Sequence, residues 1–166
     1  MAVHHPLVFP VPCTESAVRP ARHRVVATVR AWDIRLPEDV LDAIELVTGE
    51  LIANAVQHAA LGPISVGLRQ DGDALVVEVE DAAKTMPRTN PLDPDAESGR
   101  GLQLVSALAD RHGADLTETG KRCWAQFRLP AGAGSGGEDQ RNNRWERPVC
   151  AGTSSAFGTV RLARTG

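Results

Sequence analysis

The chain has 166 residues, a length that suits one domain with a real core and leaves little room for two. Aromatic residues make up 4% with no Tyr, so a core must be assembled from Val, Leu, Ile and Ala. Net charge is -3 and the basic residues form no stripe, so the footprint of a nucleic-acid binder is missing; no apolar run approaches the roughly 18 residues that a membrane span requires.

Residues 1–12 contain no basic region followed by a long apolar stretch, and the chain reads as cytoplasmic. Cys13, Cys123 and Cys150 are widely separated and odd in number, which fits reduced thiols better than a disulfide framework or a zinc site.

In chain order, Leu7 to Val11 is a short apolar stretch flanked by prolines, which predicts an edge strand or extended arm because Pro cannot donate to a ladder. From Glu15, Val18, Ala21, Val25, Val29 and Trp32 recur at helical spacing, and Pro20 is tolerable near the first turn. A longer helix is predicted from Pro37 to about Ala60, with Val40, Ile44, Val47, Leu51 and Ala55 on one face. At about 100° per residue, Glu50 and Asn54 lie beside that stripe and His58 falls within its edge, so these polar groups should face a cleft or a partner.

Ile64 to Gln70 and Ala74 to Glu80 alternate around Asp71-Gly72-Asp73 and predict an antiparallel hairpin. Asp81 to Ser98 carries Pro87, Pro91 and Pro94 and little that is apolar, so it should be irregular, of a length often used for functional lids. Gly99-Arg100-Gly101 is expected to open a helix closed by Gly113 as its C-cap. A second hairpin is expected from Asp115 to Thr119 and Arg122 to Leu129, with Cys123, Ala125, Phe127 and Leu129 on one face and Trp124, Gln126 and Arg128 on the other. The domain should span residues 1–130; the Gly-rich run after Pro130 reads as a linker and the rest of 131–166 as a disordered tail.

Singly, each polar candidate has an ordinary explanation: a solvated helix face for Glu50 and Asn54, a turn for Asp81, a helix-start turn for Gly99-Arg100-Gly101. Together, Glu-Leu-Ile-Ala-Asn-Ala-Val-Gln-His on the long helix, Asp81 just after a strand with Pro87 following, and Gly99-Arg-Gly-Leu102 form an ordered set. The set resembles the GHKL ATPase superfamily of gyrase, heat-shock chaperone and histidine-kinase ATP-binding domains, over about Val8 to Leu129. The resemblance implies the Bergerat fold, an α+β two-layer sandwich with a mixed, mostly antiparallel sheet covered by helices on one face. The Glu-Leu-x-x-Asn-Ala-x-x-His form is most similar to the bacterial sigma-factor-antagonist serine kinases and related stand-alone regulatory ATP-binding proteins.

That resemblance implies ATP and Mg²⁺ as cofactors, with Glu50 as general base and Asn54 as metal ligand. An amide oxygen suits a hard cation without adding negative charge beside phosphates, and a carboxylate can take a proton from an attacking hydroxyl within hydrogen-bond reach. It places His58 on the phosphate side or in packing, and makes Asp81 the adenine reader, accepting from the exocyclic amine. Gly99 and Gly101 would let backbone N–H groups approach phosphate oxygens, with Arg100 adding charge and Leu102 continuing the motif. Lys121 and Trp124 fit the Gly-Lys-x-x-Trp-like closing hairpin of the regulatory subgroup, with Trp124 in packing.

One position departs from the family pattern: Ala83 stands where Gly is usual, adding a methyl group where the backbone passes close to the base. The partners implied are an anti-anti-sigma-type protein, a sigma factor, or both, and homodimerisation is left open. Two functions compete, a serine/threonine kinase and a binding module of the same fold in which ATP gates an interaction. Too few residues precede Glu50 for a phospho-accepting two-helix region, which disfavours a sensor histidine kinase.

Overall fold

The computed structural model describes residues 6–58, 62–86 and 97–130. In chain order these form β1 (Leu7–Val11), α1 (Glu15–Ala31), α2 (Glu38–His58), β2 (Ile64–Asp71), β3 (Ala74–Asp81), α3 (Glu97–Leu108), β4 (Arg111–Leu116) and β5 (Lys121–Arg128). The strands build one five-stranded sheet in the order β1-β2-β3-β5-β4. Among the described residues every pairing is antiparallel, in place of the mixed, mostly antiparallel sheet expected.

Period-2 alternation decides which face is covered. Val66 and Leu68, Val77 and Val79, and Cys123, Ala125 and Phe127 all point into the core, where they meet Val25 and Val29 of α1 and Ile44, Val47, Leu51 and Ile52 of α2. A fully buried aliphatic side chain contributes about 1.5–3 kcal/mol relative to exposure, so this single layer of helix-on-sheet contacts dominates the stability. Pro10 sits in β1, an edge strand, where the lost donor costs no central ladder bond.

The helix starting near Pro37 begins as its residue types demand. Pro37 supplies the carbonyl to which the Val40 and Leu41 N–H groups donate, both at 3.1 Å, and Glu38 and Asp39 place acids in the first turn. The turn between β2 and β3 passes through Gly72 at φ 59°, a left-handed conformation that glycine adopts without penalty.

Two expectations for the C-terminal half need correction. First, α3 starts at Glu97, so Gly99 and Gly101 lie inside its first turns and do not precede it. Second, Gly113 is no helix cap. The helix ends at Leu108, the Asp110 N–H already donates to the Gln126 carbonyl at 3.0 Å, and Gly113 pairs with Trp124 inside β4, which begins four residues before Asp115. A Cβ at Gly113 would stand 2.7 Å from Trp124 Cζ2, so the glycine is there to admit the indole. Trp124 packs as expected and donates its indole N–H to Asp115 Oδ2 at 3.1 Å.

The end of the long helix at Ala60, residues 87–96 of the irregular segment expected over Asp81 to Ser98, and the tail from residue 131 lie outside the described residues; of the rest of that segment, Asp81 ends β3 and Glu97 and Ser98 begin α3. Among the described residues no helix is long and apolar enough to cross a membrane.

Candidate functional site

Two polar clusters flank the core. The first arises because α3 packs along α2. Glu50 and Asn54, one turn apart on α2, line a cleft with Gln57 and, from α3, Gly101, Leu102 and Val105. The cleft encloses about 40 Å³. That suits water or a small ion, whereas pockets that swallow an organic ligand run to roughly 300–1,000 Å³.

Gly101 is what permits the close approach. A Cβ there would run into the Glu50 carboxylate, so any side chain at 101 would push α3 away or displace Glu50. On the cleft's floor the buried Asn54 Nδ2 has no hydrogen-bond partner. The amide's oxygen and nitrogen exchange by a flip, so either placement leaves one amide atom unspent, which is uncommon for a buried polar group.

The second cluster lies where β3 ends. Asp81 is 5% exposed; its Oδ1 accepts the Ala83 N–H at 2.8 Å and its Oδ2 lies 3.2 Å from Lys121 Nζ. Lys121 opens β5 directly opposite Asp81 in the strand register and is itself fully buried. Nζ and Oδ2 are close enough for an ion pair, yet neither is in hydrogen-bond geometry, so the pair balances charge and leaves directional bonds unmade. Gly120 lies against the Asp81 carbonyl, and a Cβ at 120 would run into that oxygen. The strand junction is therefore clamped by backbone. Further along β5, burial pushes the Cys123 thiol up to about 11 while Lys121 pulls it the other way. Cys13 Sγ donates to the Val56 carbonyl at 3.8 Å, and Cys123 is buried in the core.

The structure thus gathers Glu50, Asn54, Gly101 and Leu102 in one cleft and sets Asp81 and Ala83 at the end of β3. Gly99 and Arg100 belong to the first turn of α3, where four N–H groups have no intrahelical acceptor. Arg100 is exposed. His58 departs from its expected place at the apolar edge: both it and Gln57 are exposed at the end of the described part of α2.

Sequence reasoning gave Lys121 no place beside Asp81. The signal was present, since Lys121 has the same period-2 phase as Cys123, Ala125 and Phe127 and so had to point inward. Among the described residues no three His, Cys, Asp or Glu side chains gather to hold a metal ion. An all-protein cage is not what Mg²⁺ uses; it is commonly held by one or two protein oxygens with waters and phosphates.

Fold and sequence motifs together define the class, a two-layer α+β ATPase-type domain. Residues 11–127 match the family model of the histidine kinase-like ATPase domain, and the chain belongs to that family. Among solved structures it is similar to the RsbU and RsbW domains of Rv1364c from Mycobacterium tuberculosis, with a TM-score of 0.58 and 22% identity over 77% of this chain and 33% of that one. It also overlaps the histidine kinase domain of the Erythrobacter litoralis EL346 blue-light activated histidine kinase, with a TM-score of 0.45 and 23% identity over 68% of this chain and 61% of that one. This chain therefore spans a third of the length of the first and less than two thirds of the second.

Proposed function

We propose that the protein is a cytoplasmic, Mg²⁺-ATP-dependent serine/threonine kinase that phosphorylates an anti-anti-sigma-type partner and antagonises a sigma factor. The observation that carries this reading is the α2–α3 cleft, in which Glu50 and Asn54 face Gly101. The unspent Asn54 amide and the glycine whose added Cβ would displace the Glu50 carboxylate fit a metal-bound phosphate chain, which suits a neutral oxygen ligand and close backbone approach. Family membership supports ATP, and the Glu-Leu-x-x-Asn-Ala-x-x-His form of α2, most similar to the sigma-factor-antagonist kinases, is what suggests a regulatory protein as the substrate. We take residues 1–130 as the kinase domain and 131–166 as a linker and tail.

In this reading Mg²⁺-ATP supplies the phosphoryl group and the neutralisation of its charge. Asn54 offers the metal one oxygen, the free N–H groups at the start of α3 meet phosphate oxygens, and Arg100 adds positive charge at the rim. Asp81 accepts the adenine 6-amine, and His58 sits on the phosphate side of α2. Glu50 takes the proton from the partner's serine hydroxyl as that oxygen bonds to the γ-phosphorus. The bond from phosphorus to the β–γ bridging oxygen breaks and ADP leaves. Catalysis of this kind is chiefly positioning and electrostatics, so the chain's task is to hold Glu50 and the metal in register.

One observation favours a second reading, a catalytically weak module in which ATP gates a protein interaction. Ala83 carries a methyl group where glycine is usual and commits its N–H to Asp81, which narrows the approach to the base. Incubation with labelled Mg²⁺-ATP and candidate partners from the same genome separates the two. The kinase gives phosphoserine on a partner, lost in Glu50→Ala; ATP binding with no phosphate transferred to any partner contradicts the kinase and leaves the module.

A further inference from the structure

Lys121 is the largest fully buried side chain among the described residues. Its ammonium has three N–H donors, and none is in a hydrogen bond. Its charge partner among the described residues, Asp81 Oδ2 at 3.2 Å, also lacks a hydrogen bond, while Asp81 Oδ1 is already committed to the Ala83 N–H. A donor and an acceptor thus stand side by side, both buried, both with their directional bonding unspent. Ion pairing offsets the cost of burying the two charges but not the cost of the missing hydrogen bonds, so this geometry points to a ligand edge with one acceptor next to one donor.

Adenine has that edge, with the ring nitrogen N1 as acceptor beside the 6-amine as donor. We propose that Lys121 is a base-specificity residue, its Nζ donating to adenine N1 while Asp81 Oδ2 accepts from the 6-amine. The inference rests on the ATP-binding reading above and adds a second reader to it. Hypoxanthine and guanine present the opposite order, a 6-carbonyl acceptor beside an N1–H donor. Strand register and the Ala83 bond hold Asp81 and Lys121 in a fixed order, so those bases meet acceptor against acceptor and donor against donor. Such a mismatch leaves buried polar groups unpaired, the costliest kind of error in a binding site.

The test is calorimetric titration of the full chain with ATP, with 1-deaza-ATP, in which N1 is replaced by CH, and with 7-deaza-ATP as a control remote from Lys121. Wild type should lose about ten- to a hundred-fold in affinity for 1-deaza-ATP and little for 7-deaza-ATP, as expected for one hydrogen bond from a charged donor. Lys121→Met should bind ATP only as well as wild type binds 1-deaza-ATP and should no longer distinguish the two. Should that variant fail to fold, the wild-type comparison alone decides. Equal affinity of wild type for ATP and 1-deaza-ATP would overturn the proposal and reduce Lys121 to a structural ion pair, leaving the ATP reading intact. If wild type binds none of the three, both fall together.

Discussion

The two polar clusters differ in what holds them. Glu50 and Asn54 sit in a cleft between two helices, with an unspent amide and a carboxylate resting on a glycine. Asp81 and Lys121 sit at the junction of two paired strands, buried, charge-matched and clamped by the backbone of Gly120. Helix packing can adjust by small shifts, whereas strand register is fixed by a ladder and changes only by breaking it. In the proposed reading the α2–α3 cleft would be the adjustable phosphate end and the Asp81–Lys121 junction the rigid base end, which would suit a protein that holds a nucleotide firmly and still lets its reacting end change.

Breaking each end should therefore have a different signature. Gly120→Ala should have the largest effect, because its methyl group meets the Asp81 carbonyl and, at 2.7 Å, the Ala82 Cα, neither of which can rotate away. Urea unfolding should show a loss of about 1–3 kcal/mol or more; an unchanged midpoint would mean the clamp is slack.

Gly101→Ala meets only the end of a movable Glu50 side chain. It should cost less than about 1 kcal/mol of stability by the same assay and yet lower phosphoryl transfer about ten-fold or more, through a misplaced base. A stability loss as large as that of Gly120→Ala would erase the contrast between the two ends.

The smallest effect is expected at the other buried acid of β3, which lacks a cation as close as Lys121 is to Asp81. Glu78 lies on the opposite face, where burial raises its carboxyl above the usual 4.5, with Arg69 and Arg122 acting in the other direction. A raised value means that its contribution to stability is full below about pH 4.5 and is lost as pH rises through the folded-state value. Glu78→Gln should accordingly stabilise the protein at pH 7 by under about 1 kcal/mol, with the gain vanishing in melts below pH 4.5. A gain that persists in acid would assign the effect to packing against Gly67, whose added Cβ would lie 2.8 Å from Glu78 Cγ.

Much of this was legible in the chain. Helical spacing located α1 and α2, alternation around Asp71-Gly72-Asp73 located β2 and β3, and the four-residue step from Glu50 to Asn54 put both on the cleft side of α2. What failed depended on distant partners. Gly113 reads locally as a helix stop, and only the Trp124 ring across the ladder reveals it as a packing glycine. The start of α3 was misplaced because nothing apolar before Leu102 marks the helical phase. His58 keeps the correct phase and is nonetheless exposed, because phase alone does not say what packs over a position. Lys121 could be turned inward by alternation, yet its pairing with Asp81 depends on the register of β3 with β5, which no local pattern encodes.

The central claim about this molecule is that Asn54 brings a metal to a bound ATP. Titrating fluorescent ATP into wild type and Asn54→Ala, with and without Mg²⁺, measures this directly. The expected result is that Mg²⁺ tightens binding to wild type and has no such effect in Asn54→Ala, while metal-free binding is similar in both. Identical Mg²⁺ dependence in the two proteins, or no binding to wild type at all, would contradict it.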